Sequence, residues 1–255
     1  MKVLHVAENV QGGIASYLSE LVIAQSKALG ADDVRFLLPV DQMHQVAHLK
    51  ARQIITFQRI GRGLKGVWQL YHITRRFLRD ERPDIIHCHG GFAGVAVRLA
   101  AWGQRKVKVI YCAHGWAFRR QAPKWQKQFY LMVERFLANQ TDLIINISKD
   151  EHRAALEAGF PKKRLRMVAN GITKIQPAEA GRVPPKPAAK TFLFMGRFNR
   201  HKGLDKILPV FENELKDEDV HLNVLGAPIN TNAWPKVGEN VTLHGWLPRR
   251  GTFCS

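Results

Sequence analysis

Two basic residues in the second half of the chain are placed where they could neutralise a diphosphate. Phe192 to Met195 predicts a short buried strand, Gly196 ends it, and Arg197 and Lys202 follow on the loop and at the start of the next helix. The carboxyl end of a parallel strand and the amino end of a helix together favour anions. Ordinary surface chemistry explains the same residues equally well, so they indicate a phosphate site without establishing one.

Glycines and histidines stand at the predicted strand ends of the first half. Gly12 and Gly13 follow the run Val3 to Ala7, and paired glycines let a backbone approach a phosphate or sugar closely. A turn without a ligand is as good an explanation, since the complete G-x-G-x-x-G fingerprint is absent. His89 and His114 each end a strand beside glycine. In a doubly wound sheet both are expected to face one crevice.

His87 and His89 could bind a metal ion together, since they share one face of a strand because strand side chains alternate. No carboxylate or cysteine follows at a ligand-like interval. A His89 that faces a ligand, or is buried and hydrogen-bonded, is therefore favoured over a metal ligand. No metal or other cofactor is expected.

The charge predicts an anionic partner, since 39 Lys and Arg against 21 Asp and Glu leave a net charge of +18 over 255 residues. Two acid-free blocks, Gln42 to Arg79 and Ile85 to Val133, carry eight basic residues each. Nucleic acid, anionic lipid and a phosphorylated substrate all fit, as does a solvated basic face. Without a long apolar run or a signal peptide, and with three widely spaced cysteines read as reduced thiols, a cytoplasmic protein is expected.

Strands and helices alternate over residues 1–173, which predicts one complete Rossmann-like α/β domain. Residues 174–190 are rich in proline and predict a linker. Residues 191–255 begin a second strand-loop-helix unit, too short for a complete domain. Ser148 and Glu151 form a capping-box pattern, and Pro209 is expected to bend its helix. The predicted fold class is α/β with two Rossmann-like domains, the second incomplete.

Five ordered stretches resemble the glycosyltransferases of family 4, which are retaining enzymes of the GT-B fold: VLHVAENVQGGIASYLSEL, RPDIIHCHGGFAG, VIYCAHGWAF, INISKDEHRAALEAGFPKKRLRMVANGI and FLFMGRFNRHKGLDKIL. The resemblance implies that a nucleotide sugar binds between an acceptor-side domain and a donor-binding domain. The sugar then passes to a glycan or lipid-linked acceptor without a metal ion. Surface polysaccharide or lipopolysaccharide assembly, with peripheral contact at the inner face of the membrane, is the implied setting.

The same resemblance implies roles for individual residues. Gly12 and Gly13 match the glycine loop at the donor diphosphate, and His114 matches the histidine near the transferred sugar. Arg197 and Lys202 match the basic pair on the diphosphate. The predicted catalytic residues are therefore His114, Arg197 and Lys202. Candidate acceptor or sugar contacts are His89, Arg119 and Arg120.

The sequence departs from the family pattern after Leu247 and Pro248, where the family's serine-rich loop and its two glutamates would follow. A fragment, a premature stop or a frameshift would each give this ending, and weak or absent turnover is expected. The alternatives are a non-catalytic module that binds an anionic acceptor or membrane, and a nucleotide-sugar epimerase. Nucleic-acid binding is the least favoured alternative, because the basic residues are expected to lack interleaved surface aromatics and show no recognised nucleic-acid-reading motif.

Overall fold

The computed structural model describes residues 1–46, 49–61, 63–171, 190–198, 202–228 and 234–245. The chain forms two compact units, Met1–Thr173 and Lys174–Ser255. The predicted linker lies outside the described residues except for Lys190, which opens a strand. Residues 246–255, where the sequence leaves the family pattern, also lie outside them.

The first unit is built on a parallel sheet of seven strands, ordered β3-β2-β1-β4-β5-β6-β7. Val-, Ile- and Leu-rich runs form these strands because parallel strands are buried on both faces. The strands are β1 Val3–Ala7, β2 Val34–Pro39, β3 Ile54–Phe57, β4 Ile85–His89, β5 Lys108–Cys112, β6 Leu143–Asn146 and β7 Leu165–Met167.

Helices cover both faces of this sheet. They are α1 Gly13–Leu29, α2 Leu64–Asp80, α3 Gly91–Ala100, α4 Lys124–Ala138 and α5 Lys149–Glu157. Leu18 and Val22 of α1 pack with Phe36 on one face, whereas Leu70 of α2 and Val97 of α3 pack with strand residues of the other face. The strand order reverses between β1 and β4, which is the position where doubly wound sheets bind ligands.

A buried ion pair ties α3 to α4. Arg98, which is fully buried, donates from Nη2 to Oε2 of Glu134 at 2.8 Å, and the hydroxyl of Tyr111 donates to Oε1 at 3.0 Å. The guanidinium also stacks 3.9 Å from the Tyr111 ring centroid. A buried charge is tolerated only when it is paired in this way.

The predicted capping box at α5 forms in a modified way. Ser148 Oγ accepts the N–H of Glu151 at 3.1 Å, as expected for an N-cap. The carboxylate of Glu151 turns to the N–H of Ile147 at 3.0 Å, and it also accepts from the N–H of Gly115. Glu151 therefore connects the start of α5 to the turn that follows β5.

The second unit contains a smaller parallel sheet ordered β10-β9-β8, with β8 Lys190–Met195, β9 Val220–Leu225 and β10 Val241–Gly245. The helix α6 Leu204–Pro209 passes into a π-helical turn, Val210–Glu214. Pro209 thus lies where the helix changes from α to π form, and the bend predicted at this residue stays a prediction. Phe194, Leu208 and Phe211 form the centre of its core.

Phe192 to Met195 form a strand, as predicted, but the prediction that this strand is buried is wrong. Phe194 is buried, but the side chains of Leu193 and Met195 are exposed to 61% and 73%. Successive side chains of a strand point to opposite faces of the sheet, and α6 covers only the face of Phe194. The apolar run identifies the strand correctly without showing how many of its faces are covered.

The apolar side chains of α4 lie mainly on its solvent-facing side. Trp125, Phe129, Met132 and Phe136 recur at helical spacing and are exposed to between 53% and 73%, while Glu134, Leu137 and Ala138 face the core. The exposed Trp68 of α2 belongs to the other basic block. The expectation that the basic blocks lack surface aromatics is therefore wrong. No helix within the described part of the chain has the length and apolar character that crossing a membrane requires.

Candidate functional site

The glycine turn after β1 has a backbone that only glycine adopts readily. Gly12, with φ 60° and ψ −127°, immediately precedes the first turn of α1. The buried amide of Gln42 holds the preceding loop, because it accepts the N–H of Val10 and donates to Asn9 Oδ1 at 3.0 Å. Gly12 and Gly13 remain exposed. The turn is thus anchored on its inner side and open to a ligand on its outer side.

The turn after β5 places His114 in the left-handed region, with φ 51°, which is uncommon for a residue other than glycine. Gly115 follows with φ 107°. Glu151 holds the turn through the N–H of Gly115, and the indole of Trp116 donates to the carbonyl oxygen of Glu151 at 3.0 Å. A left-handed residue other than glycine costs free energy that its surroundings must offset, and such residues concentrate at functional sites.

The histidines at the ends of β4 and β5 contact each other. Nδ1 of His89 lies 3.2 Å from Nε2 of His114, within hydrogen-bond distance. Gly90, with φ 84°, begins α3 and donates its N–H to the carbonyl of Cys112 at 2.9 Å, which brings the two strand ends together. The predicted meeting of His89 and His114 at one edge of the sheet is confirmed, while their contact with a ligand stays a prediction.

Tyr17 joins the glycine turn to these histidines. It lies one helical turn after Gly13, and its ring centroid is 4.8 Å from that of His114 and 5.9 Å from that of His89. Burial raises the pKa of its hydroxyl well above the usual value. Sequence reasoning missed Tyr17, although its spacing from Gly13 puts it on the side of α1 that faces the sheet.

Three further polar groups extend inward from His114. His5 and His87 are directly paired across β1 and β4, so their side chains share the face that carries His89. Nδ1 of His5 lies 3.1 Å from Nε2 of His89, and Nε2 of His5 lies 2.6 Å from Oε1 of Gln25 on α1. The His87 ring packs 4.0 Å from His89. Burial lowers the pKa of His5 and of His114 to about 4 and holds those of His87 and His89 well below 6.5.

Among the described residues, His5, His87 and His89 are also the group whose spacing could accept a metal ion, with nitrogens within 4.8 Å of one another. The bond between His5 and His89 already uses two of these nitrogens. The group consists of imidazoles alone, so no carboxylate in it would offset the charge of a divalent cation buried here. The geometry of His5 and His89 thus fits hydrogen-bonded neutral imidazoles better than metal ligands, while Nε2 of His87 is buried without a hydrogen-bond partner among the described residues.

The remaining predicted residues lie outside this cluster. Arg119 and Arg120 follow the His114 turn and are exposed, with Arg119 3.7 Å from the carboxylate of Asp150. Arg197 and Lys202 belong to the second unit, after β8 and before α6, as predicted.

Glycines shape the strand ends next to Arg197 and Lys202. The stem of Lys202 packs over Gly196, where an added Cβ would lie 3.5 Å from it. A Cβ on Gly226, which has φ 137°, would lie 1.9 Å from the Gly196 carbonyl oxygen. The ends of β8 and β9 therefore meet backbone to backbone, and only glycine permits that approach.

Similarity to known proteins identifies the family of this chain. A family model described as a glycosyl transferase 4-like domain matches residues 12–171. An uncharacterized 41.2 kDa protein from the cps region of Klebsiella pneumoniae is 31% identical over 273 residues, which cover 100% of this chain and 72% of that protein. The chain belongs to the glycosyl transferase 4-like family.

A second relative is similar over a shorter segment. It is an Escherichia coli UDP-Gal:alpha-D-GlcNAc-diphosphoundecaprenol alpha-1,3-galactosyltransferase, 27% identical over 110 residues, or 43% of this chain and 27% of that enzyme.

Solved structures show the same fold at low sequence identity. Anabaena HepE, solved in complex with UDP-glucose, has a TM-score of 0.67 at 17% identity over 97% of this chain and 70% of that one. A putative UDP-N-acetylglucosamine 2-epimerase from Listeria monocytogenes has a TM-score of 0.63 at 16% identity, with the same coverage. The predicted class, GT-B-type α/β with two Rossmann-like units of which the second is smaller, is confirmed.

Proposed function

We propose that this chain transfers a sugar from a nucleotide-sugar donor to a glycan or lipid-linked acceptor, with retention of anomeric configuration. The observation that carries the proposal is the contact of His89 with His114 at 3.2 Å, beside the Gly12 turn and at the switch point of the sheet. A hexose carried on UDP is the donor class favoured by the UDP-glucose complex of HepE and the name of the E. coli relative.

Each group has a role that its chemistry supports. The open backbone of Gly12 and Gly13 lets a diphosphate come close, and the neutral imidazole of His114 hydrogen-bonds the transferred sugar. Arg197 and Lys202 neutralise the negative charge that grows on the departing diphosphate. Fixed cations at such a position stabilise a transition state by several kcal/mol, so in this proposal the reaction requires no metal ion.

The exposed face of α4 is proposed to hold the enzyme at an anionic membrane, where a lipid-linked acceptor would reside. Trp125, Phe129, Met132 and Phe136 form an apolar stripe, and Lys124 and Lys127 flank its beginning. Aromatic side chains beside basic ones suit the interface between lipid tails and anionic head groups. This stripe also favours the second candidate function, a membrane-binding module without turnover.

A transfer assay tests the main proposal. UDP-glucose, UDP-galactose and UDP-N-acetylglucosamine, each radiolabelled in the sugar, would be offered with GlcNAc-diphosphoundecaprenol in vesicles, with and without EDTA. We expect label in the lipid fraction from one donor, at the weak rate expected of this chain, unchanged by EDTA and lowered by His114→Ala or Arg197→Ala; in a full-length version each substitution lowers transfer on the order of a hundredfold. Lys27→Ala, on the exposed end of α1, is the matched control.

Other outcomes separate the alternatives. An epimerised sugar nucleotide formed without acceptor would replace the transferase with an epimerase. If vesicle binding falls with salt and with Trp125→Ser plus Phe129→Ser while no donor binds or turns over, the chain is a binding module. Full transfer by both His114→Ala and Arg197→Ala would remove these residues from the mechanism.

A further inference from the structure

Four polar side chains form a continuous hydrogen-bonded chain beneath the candidate site. It runs from Gln25 Oε1 to His5 Nε2 at 2.6 Å, from His5 Nδ1 to His89 Nε2 at 3.1 Å, and from His89 Nδ1 to His114 Nε2 at 3.2 Å. Both nitrogens of His5 and of His89 are used. The chain thus connects half-buried Gln25, near the far end of α1, with the strained turn after β5.

The imidazoles of this chain are neutral at physiological pH. His5 and His89 are almost fully buried, and burial disfavours their charged form. Burial acts on His114 in the same way. A neutral imidazole carries one N–H and one bare nitrogen, so each ring can donate in only one direction along the chain.

The direction of every bond follows from the first one. A carbonyl oxygen only accepts, so His5 must donate from Nε2 to Gln25, which leaves His5 Nδ1 bare. That bare nitrogen accepts from Nε2 of His89, whose Nδ1 is then bare and accepts from Nε2 of His114. His114 ends with its proton on Nε2 and its Nδ1 bare. Had the Gln25 side chain offered its NH₂ group, all three bonds would run the other way.

We propose that Gln25 is a positioning residue that fixes the tautomer of His114 through His5 and His89, and so makes Nδ1 of His114 a hydrogen-bond acceptor. The tautomer itself depends only on the chain of bonds. Its consequence rests on the proposed function: a bare Nδ1 binds a hydroxyl group of the transferred sugar by accepting its proton, and cannot donate to the sugar. Gln25 lies twelve residues beyond Gly13, or about 18 Å along α1, so it acts without touching the sugar.

Nitrogen-15 NMR of the full chain labelled at histidine tests the proposal, because protonated and bare imidazole nitrogens differ widely in chemical shift. The His114 signals are assigned with His114→Gln. We expect the wild-type proton on Nε2 of His114. Gln25→Glu, whose ionised carboxylate offers only accepting oxygens, keeps that tautomer. Gln25→Met, of similar length but unable to accept, gives a mixture of both tautomers. Lys27→Met is the control on the same helix and leaves the His114 signals unchanged.

Two results would overturn the proposal. One is a wild-type His114 that carries its proton on Nδ1, a measurement that needs no variant. The other is a folded Gln25→Met whose His114 tautomer equals that of the wild type.

The transfer assay separates this inference from the proposed function. A tautomer mixture in Gln25→Met together with a several-fold lower kcat, restored in Gln25→Glu, supports both. A tautomer mixture with unchanged transfer kinetics supports the positioning role of Gln25 and contradicts the contact between His114 and the sugar.

Discussion

The two units of the chain bury their sheets to different degrees. In the first unit every residue of β1 is buried and helices lie on both faces, whereas in the second unit only one residue of β8 is buried. The first unit accordingly encloses polar groups, among them Arg98 and Glu134 and the histidines beneath the site. The described core of the second unit is wholly apolar. A sheet covered on both faces can thus hold neutral imidazoles and a buried ion pair in fixed geometry.

Of the substitutions that test this difference between the units, Glu134→Leu in the first unit should have the largest effect on stability. The substitution leaves the Arg98 guanidinium buried without its counter-ion and removes the acceptor of the Tyr111 hydroxyl. We expect the free energy of unfolding to fall by about 3–5 kcal/mol, measured by urea denaturation. Asp150→Ala, which removes exposed ion pairs, should change it by less than about 1 kcal/mol. If the two substitutions lower the free energy of unfolding equally, the buried pair stabilises the first unit no more than an exposed ion pair does.

The second-largest difference between the units is expected in how much stability each loses at low pH. His5 has a folded-state pKa of about 4, below its ordinary 6.5, so the unfolded chain binds more protons between these values. Its contribution, on the order of 3 kcal/mol, is complete above about pH 6.5 and is lost as the pH falls toward 4. His87, His89 and His114 act in the same direction. Burial raises the pKa of Glu151, which opposes them.

The measurement is urea unfolding of the whole chain at pH 7.5, 6 and 4.5. We expect the transition of the first unit to shift toward lower urea far more than that of the second unit, whose described buried core contains no histidine. His5→Asn should flatten the pH dependence of the first unit. A first unit equally stable at all three pH values would show that the folded and unfolded chains bind the same number of protons, and so that burial does not lower the pKa of these imidazoles.

Glycine substitutions should have a smaller effect on stability, and here the second unit should lose more stability than the first. Gly226→Ala places a methyl group against the Gly196 carbonyl at a φ of 137°, so we expect the second unit to lose about 1–3 kcal/mol. Gly13→Ala in the first unit meets no atom within 4 Å and should change stability by less than about 0.5 kcal/mol. Thermal denaturation followed by limited proteolysis would assign each change to its unit, and a tolerated Gly226→Ala would refute the close backbone approach of β8 and β9.

The smallest expected effect is that of Ser148→Ala at the start of α5. It removes the acceptor of the Glu151 N–H and should cost the first unit about 1 kcal/mol in urea denaturation. Ser16→Ala, in the first turn of α1, removes only a long 3.4 Å bond from the hydroxyl to the Gly12 carbonyl, so it is the control and should cost less. If both variants unfold alike, the modified cap contributes nothing to the turn that holds His114.

Local patterns predicted most elements because adjacent residues decide them. The bounds of β1 agree with the predicted run Val3 to Ala7, since a short apolar run bounded by loop residues leaves little choice. The predicted positions of Arg197 and Lys202 also hold, because Gly196 ends β8 and Gly203 begins α6. The apolar spacing of α4 is typical of a helix but does not show which side is buried, since periodicity says nothing about which neighbours cover a face.

The sequence alone determined the family, the order of strands and helices, and the histidines at the ends of β4 and β5. Each of these depends on short segments of contiguous residues. Only the tertiary structure decided that Gln25, His5, His89 and His114 form one hydrogen-bonded chain, since their partners are up to 84 residues apart. It also decided that Tyr17 lies over the histidines and that four apolar side chains of α4 and those of Leu193 and Met195 in β8 are exposed. Burial and hydrogen-bond direction depend on the groups that folding brings together, and no local pattern specifies them.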